Sequence, residues 1–285
     1  MRIGVVNNLR AGKSQEQVSR MLGFLRSHPD VLHVETDSAQ VLPEALGEFA
    51  RSEVDLLVVN GGDGTLQFAL TELLTNPEFG SVRMVAPLRG GRTNMTALDL
   101  GAERDPAKAL HRLLVDIDNG QLAPRTVHRP VLRVSSSHRP TPLYGMFFGG
   151  GLLQRAIQLT HRLFPSGRSH GVLGPGIVTG TLLTRMFSRP TDGITTPDKA
   201  EIRIDGKPIS DAEFYLTMAT TLDRLFLRMN PFWGQGEGGV RFTAISSQVE
   251  RFARATPSLL RGRPPAFATA EKGYTSANSD RVELR

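Results

Sequence analysis

The run Asp55-Leu-Leu-Val-Val-Asn60 leads without a break into Gly61-Gly62-Asp63-Gly64-Thr65, and a helical pattern follows over 66–74. A short unbroken apolar run of this kind predicts a strand covered on both faces, as in a parallel sheet. Three glycines behind it let the backbone turn sharply and bring its N–H groups close to a ligand. The following helix adds its positive end, so the loop suits a phosphate. Asp63 is the candidate catalytic carboxylate, placed to approach a bound Mg²⁺ or a ligand hydroxyl, and Thr65 can cap the helix and donate to a phosphate oxygen. Two other phosphate fingerprints fail on spacing. Gln67 stands where the third glycine of G-x-G-x-x-G belongs, and Asn7 lies five residues before Gly12-Lys13-Ser14, where a Walker A loop needs glycine.

Around this segment the first 124 residues alternate strand with helix. Arg2–Asn7 and Val31–Thr36 read as strands, as does 82–87. Ser14 looks like the N-cap of a helix whose apolar face is Val18, Met21, Leu22 and Leu25. A second helix covers 43–52 with Leu46 and Phe49 inward, and Asp105-Pro106 opens another that reaches about residue 118. The alternation predicts a doubly wound α/β nucleotide-binding domain over 1–124. In such a sheet the loops after the strands share the carboxyl edge. That edge would bring together Asn8, Gly12 and Lys13, then Gly61–Thr65, then Gly91, Arg92, Thr93 and Asn94.

Beyond Pro124 the pattern becomes mostly β, with strands at 127–135, 143–148, 200–204 and 213–219 and a hairpin signal at Asp205-Gly206. Helices are expected over 152–164 and 177–187, with a Gly/Ser/Pro-rich loop over 164–175. Residues 125–285 are therefore expected to form a β-sandwich-like domain with inserted helices.

Gly61–Thr65 ahead of a helix, with Asn8–Lys13 upstream and Gly90–Asn94 downstream, resembles the diacylglycerol kinase catalytic-domain family, which includes bacterial lipid kinases and sphingosine kinases. Gly145-Met-Phe-Phe-Gly-Gly-Gly151 before a helix is similar to that family's early second-domain segment. The resemblance implies ATP with Mg²⁺ bound between an α/β and a β-sandwich domain, and phosphoryl transfer to a diacylglycerol-like lipid hydroxyl. It implies nucleotide contacts from Gly61, Gly62, Asp63, Gly64 and Thr65, from Asn8, Gly12 and Lys13, from Thr36, and from Asn94. Gly-Gly-Asp-Gly-Thr is shared with NAD kinases, so a soluble acceptor stays open. Several positions depart from the family. Leu9 replaces a proline, Met95 an aspartate, and Gln67-Phe68 an Asn-Glu pair. Phe232 replaces the acidic residue that follows Pro231 in the family's metal-associated loop. No Asp-Gly-Glu motif is found, although 279–285 reads like the strand that precedes it; either the chain stops one strand short or this general base is lost. A non-catalytic nucleotide-binding member is the alternative. Asp205-Gly206-Lys207 reads more simply as a turn.

Charge narrows the partners. Residues 1–125 hold 13 Lys/Arg against 16 Asp/Glu, whereas 126–285 hold 21 against 12. The second half thus suits an anionic surface, or carries an arginine-rich solvated face. With four Tyr/Trp in all and no recognisable module, nucleic acid is not an expected partner. Phe226, Leu227, Met229, Phe232 and Trp233, flanked by Arg224 and Arg228, suit either a core or docking on an anionic bilayer. Gly167–His170 suits a solvated loop or a grip on a headgroup phosphate. The seven histidines show no metal spacing, and with no cysteine there is no thiolate chemistry. No apolar stretch nears the roughly 20 residues of a membrane span, and the N-terminus lacks a leader pattern. The expectation is a cytoplasmic chain, peripheral at the inner membrane face, with a homodimer left open.

Overall fold

The computed structural model describes residues 1–11, 15–37, 41–80, 82, 84–155, 158 and 196–285. Two compact units divide the chain, Met1–Met146 and Phe147–Arg285.

The first unit is built on a parallel sheet of β1 (Ile3–Asn8), β2 (Leu32–Thr36), β3 (Leu56–Gly61) and β4 (Met84–Arg89), in the order β2-β1-β3-β4. Central β3 is buried along its whole length, as its unbroken apolar run requires. Pro87, which has no N–H to offer a ladder, lies in edge strand β4. Helices α1 (Gln15–Arg26) and α5 (Pro106–Asp118) cover one face, where Met21, Leu25 and Leu110 pack on Ile3, Val5, Leu56 and Val58. On the other, α2 (Leu42–Arg51) packs with α3 (Asp63–Thr75), and the Phe49 ring lies against Gly4. Asp105 caps α5 by accepting from the amides of Ala107 (3.0 Å) and Lys108 (3.4 Å), and Pro106 starts the helix where a missing N–H costs nothing.

A hairpin of β5 (Leu132–Ser136) and β6 (Arg139–Gly145) also belongs to this unit. The Tyr144 amide donates to Thr71 Oγ1 of α3 at 3.0 Å. By contacts the first unit therefore reaches Met146, beyond the boundary near 124 that composition suggests. The strand expected over 127–135 forms only from Leu132; Pro130 interrupts it, and Val127 is exposed.

The second unit is antiparallel and rich in strands. β7 (Phe147–Gly151), β11 (Glu213–Thr220), β12 (Val240–Ser246) and β13 (Tyr274–Ser279) form one sheet, in which β8 (Asp198–Lys199) also pairs with β11. A smaller sheet holds β9 (Ile202–Ile204) between β10 (Lys207–Pro208) and β14 (Val282–Leu284). Helix α6 (Phe252–Leu259) places Phe252, Ala255 and Leu259 on Ile245 and Tyr274, and Trp233 and Phe267 join that core. The helix expected over 152–164 is helical through residue 155; the rest of it, apart from residue 158, lies outside the described residues. The helix at 177–187 and the loop containing Gly167–His170 lie there too. Among the described residues no helix is long and apolar enough to cross a membrane.

Candidate phosphate-binding site

At the carboxyl edge of the parallel sheet, the chain leaves β3 through Gly62, whose extended backbone (φ −91°, ψ −178°) makes it the N-cap of α3. The helix begins at Asp63, three residues before the sequence pattern places it, so Asp63, Gly64 and Thr65 form its first turn. First-turn amides have no partner inside a helix, and no side chain caps this one. Gly64 is exposed, and a Cβ there would meet nothing within 4 Å.

The three glycine-bearing loops are laced together. Asn8 Nδ2 donates to Thr65 Oγ1 at 2.9 Å, joining the loop after β1 to the first turn of α3. The Asp63 carboxylate accepts from the backbone amides of Met95 (3.0 Å) and Thr96 (3.1 Å), at the start of α4 (Met95–Asp99). Backbone meets backbone between Gly62 and Gly91: a Cβ on Gly91 would lie 2.3 Å from the Gly62 Cα. Gly61 is equally constrained, because a Cβ there would fall 2.6 Å from Thr65. Asn94 adopts the left-handed conformation (φ 52°) and closes its own turn, Oδ1 accepting from Gly91 N at 2.6 Å and Nδ2 donating to Gly91 O at 2.7 Å.

The candidate residues thus fall into distinct roles. Gly62, Asp63, Gly64, Thr65, Gly91 and Asn94 meet in one place, with Asn8 attached through Thr65. Arg92 and Thr93 are exposed on the third loop. Thr36 is buried, and its carbonyl accepts from Leu9 N at 2.9 Å, so it holds the first loop from beneath. Gly12 and Lys13 lie outside the described residues. Asp63 differs most from the sequence expectation: both of its oxygens are engaged by amides, which is the work of a cap on α4. Asp205 is likewise a turn residue. Asp205 and Gly206 have positive φ, as a two-residue hairpin loop requires, and Asp205 Oδ1 accepts from Asp280 N and Arg281 N.

Two residues escaped the sequence reading. Asn7 and Asn60, register partners on β1 and β3, are fully buried, and Asn60 Nδ2 donates to Asn7 Oδ1 at 2.7 Å. Asn7 Nδ2, Asn60 Oδ1 and Arg89 Nε are buried without a partner among the described residues. The carboxyl ends of β1, β3 and β4 therefore each carry an unmatched polar atom beside the loops. The available signal was an asparagine closing each of two apolar strands.

These features fit a phosphate chain better than a resident metal. The first turn of α3 is uncapped and open at Gly64, and the close contacts of Gly61 with Thr65 and of Gly91 with Gly62 hold the flanking loops tightly against it. The space enclosed among Gly61, Leu66, Leu88 and Asn94 is only about 10 Å³, room for one water at most, so a ligand would lie over the loops. Among the described residues no trio of His, Asp or Glu could hold a metal. In the second unit, the family's metal-associated position does not fit a cation. Phe232 is buried, and the Arg241 guanidinium lies 5.4 Å from its ring centroid. Arg241 donates to the carbonyls of Leu222 (3.1 Å) and Asp223 (2.9 Å) and to Asn230 Oδ1 (2.8 Å). A fixed positive charge already occupies the oxygens of that corner.

Residues 2–122 match the model of the diacylglycerol kinase catalytic domain, a kinase-family domain. No curated protein is a significant match. The whole chain is similar in fold to a candidate diacylglycerol kinase from Bacillus anthracis str. Sterne, at 16% identity and a TM-score of 0.66, covering 99% of this chain and 86% of that one. It is similar also to a diacylglycerol kinase from the same strain, at 18% identity and a TM-score of 0.61, covering 99% and 85%.

Proposed function

We propose that the chain is an ATP-dependent phosphotransferase that delivers the γ-phosphate to the hydroxyl of a diacylglycerol-like lipid. The observation that carries the reading is the uncapped first turn of α3, beside Gly61 and Gly91, whose contacts leave no space for a Cβ. Its amides would receive the phosphates, with the helix dipole adding to their attraction. Asn8, through Thr65, and Asp63, through α4, would hold the flanking loops in register. ATP supplies the transferable phosphoryl group, and Mg²⁺ would enter as the counter-ion of its phosphates. Phosphoryl transfer rests largely on such positioning and charge neutralisation.

Labelled ATP with Mg²⁺, incubated with the full chain and vesicles containing diacylglycerol, tests the reading. Labelled phosphatidic acid is the expected product, and labelling of NAD alone would replace the lipid with a soluble acceptor. A second reading, nucleotide binding without transfer, draws on the engagement of Asp63 and Asp205 by backbone amides. Calorimetric binding of ATP with no labelled product from either acceptor would select it.

A further inference from the structure

The apolar cluster at 226–233 divides in the structure. Phe232 is buried and Trp233 packs into the second unit's core, whereas Leu227 is 65% exposed. Leu227 and Arg228 both take positive φ (56° and 58°), a conformation that side chains other than glycine rarely adopt. The turn is closed by Leu225 N–H donating to Met229 O at 2.8 Å. Arg241 pins both sides of it, holding the carbonyls of Leu222 and Asp223 before the turn and Asn230 Oδ1 after it. A large apolar side chain is therefore held outward on a braced turn, instead of folding back onto the core.

Its surroundings are basic. Arg224 and Arg228 flank the turn and are exposed. Asn230 N–H donates to Leu260 O at 2.9 Å, which brings the segment carrying exposed Arg261 and Arg263 alongside. Across 220–234 and 257–264 these four arginines face a single acidic residue, Asp223. An exposed apolar side chain with arginines on its own turn and on the adjoining segment matches a surface with anionic headgroups above hydrocarbon.

We propose that the turn 225–229 is a bilayer-docking element: Leu227 enters the acyl boundary while Arg224, Arg228, Arg261 and Arg263 meet anionic phospholipid headgroups. This deepens the lipid-acceptor reading and rests on it for its purpose, but none of the observations behind it involves the phosphate loops.

Sedimentation of the full chain with vesicles, without nucleotide, tests it independently of turnover. Vesicles of equal parts phosphatidylglycerol and phosphatidylcholine should carry the chain down, and phosphatidylcholine alone should not. Leu227→Asp should weaken the binding about tenfold, and Leu227→Gly, which suits the positive φ, should weaken it comparably while keeping the turn. Arg228→Gln and Arg261→Gln should each cost about fivefold. Leu74→Asp, at an exposed leucine in the first unit, should change nothing. Failure of the wild type to bind anionic vesicles would overturn the proposal. So would binding that responds to the arginines but is untouched by either Leu227 variant, which would describe a charged surface for any polyanion. In both cases phosphorylation of detergent-dispersed diacylglycerol would still report on the kinase reading.

Discussion

Asp63 shows how far one side chain's chemistry depends on what it touches. In sequence it is a carboxylate in a phosphate loop; in the structure its two oxygens accept from Met95 N and Thr96 N. Asp63→Asn keeps one acceptor and turns an N–H₂ toward the other amide. It should cost about 1.5–3 kcal/mol in denaturant unfolding of the first unit. Nucleotide affinity should fall with it, while the Mg²⁺ concentration for half-maximal binding stays where it was; a large rise in that concentration would restore a metal role to Asp63. The glycines separate just as clearly. Gly91→Ala would drive a Cβ into Gly62 and should abolish nucleotide binding by calorimetry, whereas Gly64→Ala meets open space and should leave the unliganded chain as stable as before. The glycine pattern made the loops legible in the sequence. The hydrogen bonds that Asp63 accepts from α4 and the one between Asn7 and Asn60 were not, because they join residues more than thirty positions apart.

At the scale of elements, the buried strand β3, the alternation around it and the Asp105-Pro106 start of α5 were all readable, since each rests on local pattern. Strand β12 was not singled out, although its residues 242–246 are buried. Its sequence Val-Arg-Phe-Thr-Ala-Ile-Ser mixes apolar and polar residues, and Thr243 buries its hydroxyl by donating to Pro231 O at 2.8 Å, a partner twelve residues away. The apolar cluster at 226–233 could not be divided from sequence either, because the outward Leu227 depends on bonds made by Arg241. Strand β13 and the entry to α6 are tied by Tyr274, whose buried hydroxyl donates to Glu250 O. Burial, and secondly the nearby Glu250 charge, raise its pKa above the ordinary 10.0. The neutral phenol is thus favoured in the folded state. Its contribution is complete below pH 10 and is lost as pH climbs from there through the raised value. Tyr274→Phe should remove about 1 kcal/mol at neutral pH and flatten the decline in stability above pH 10, as urea titrations across that range would show.

For the molecule as a whole, the α/β unit, whose residues 2–122 match the diacylglycerol kinase catalytic-domain model, and the antiparallel second unit agree with the architecture expected from the loops and the strand pattern. The corner around Phe232 in the second unit is held by a guanidinium. With Arg241 donating to Leu222 O, Asp223 O and Asn230 Oδ1, EDTA should leave the thermal midpoint of the unliganded protein unchanged, by calorimetry. Arg241→Met should lower stability by about 2–3 kcal/mol through the abandoned oxygens, and added Mg²⁺ should not restore it. Where a divalent ion could be withdrawn by competition or dilution, a guanidinium on β12 is covalently permanent. The shape of that corner is accordingly written into the gene, indifferent to how much magnesium surrounds the protein.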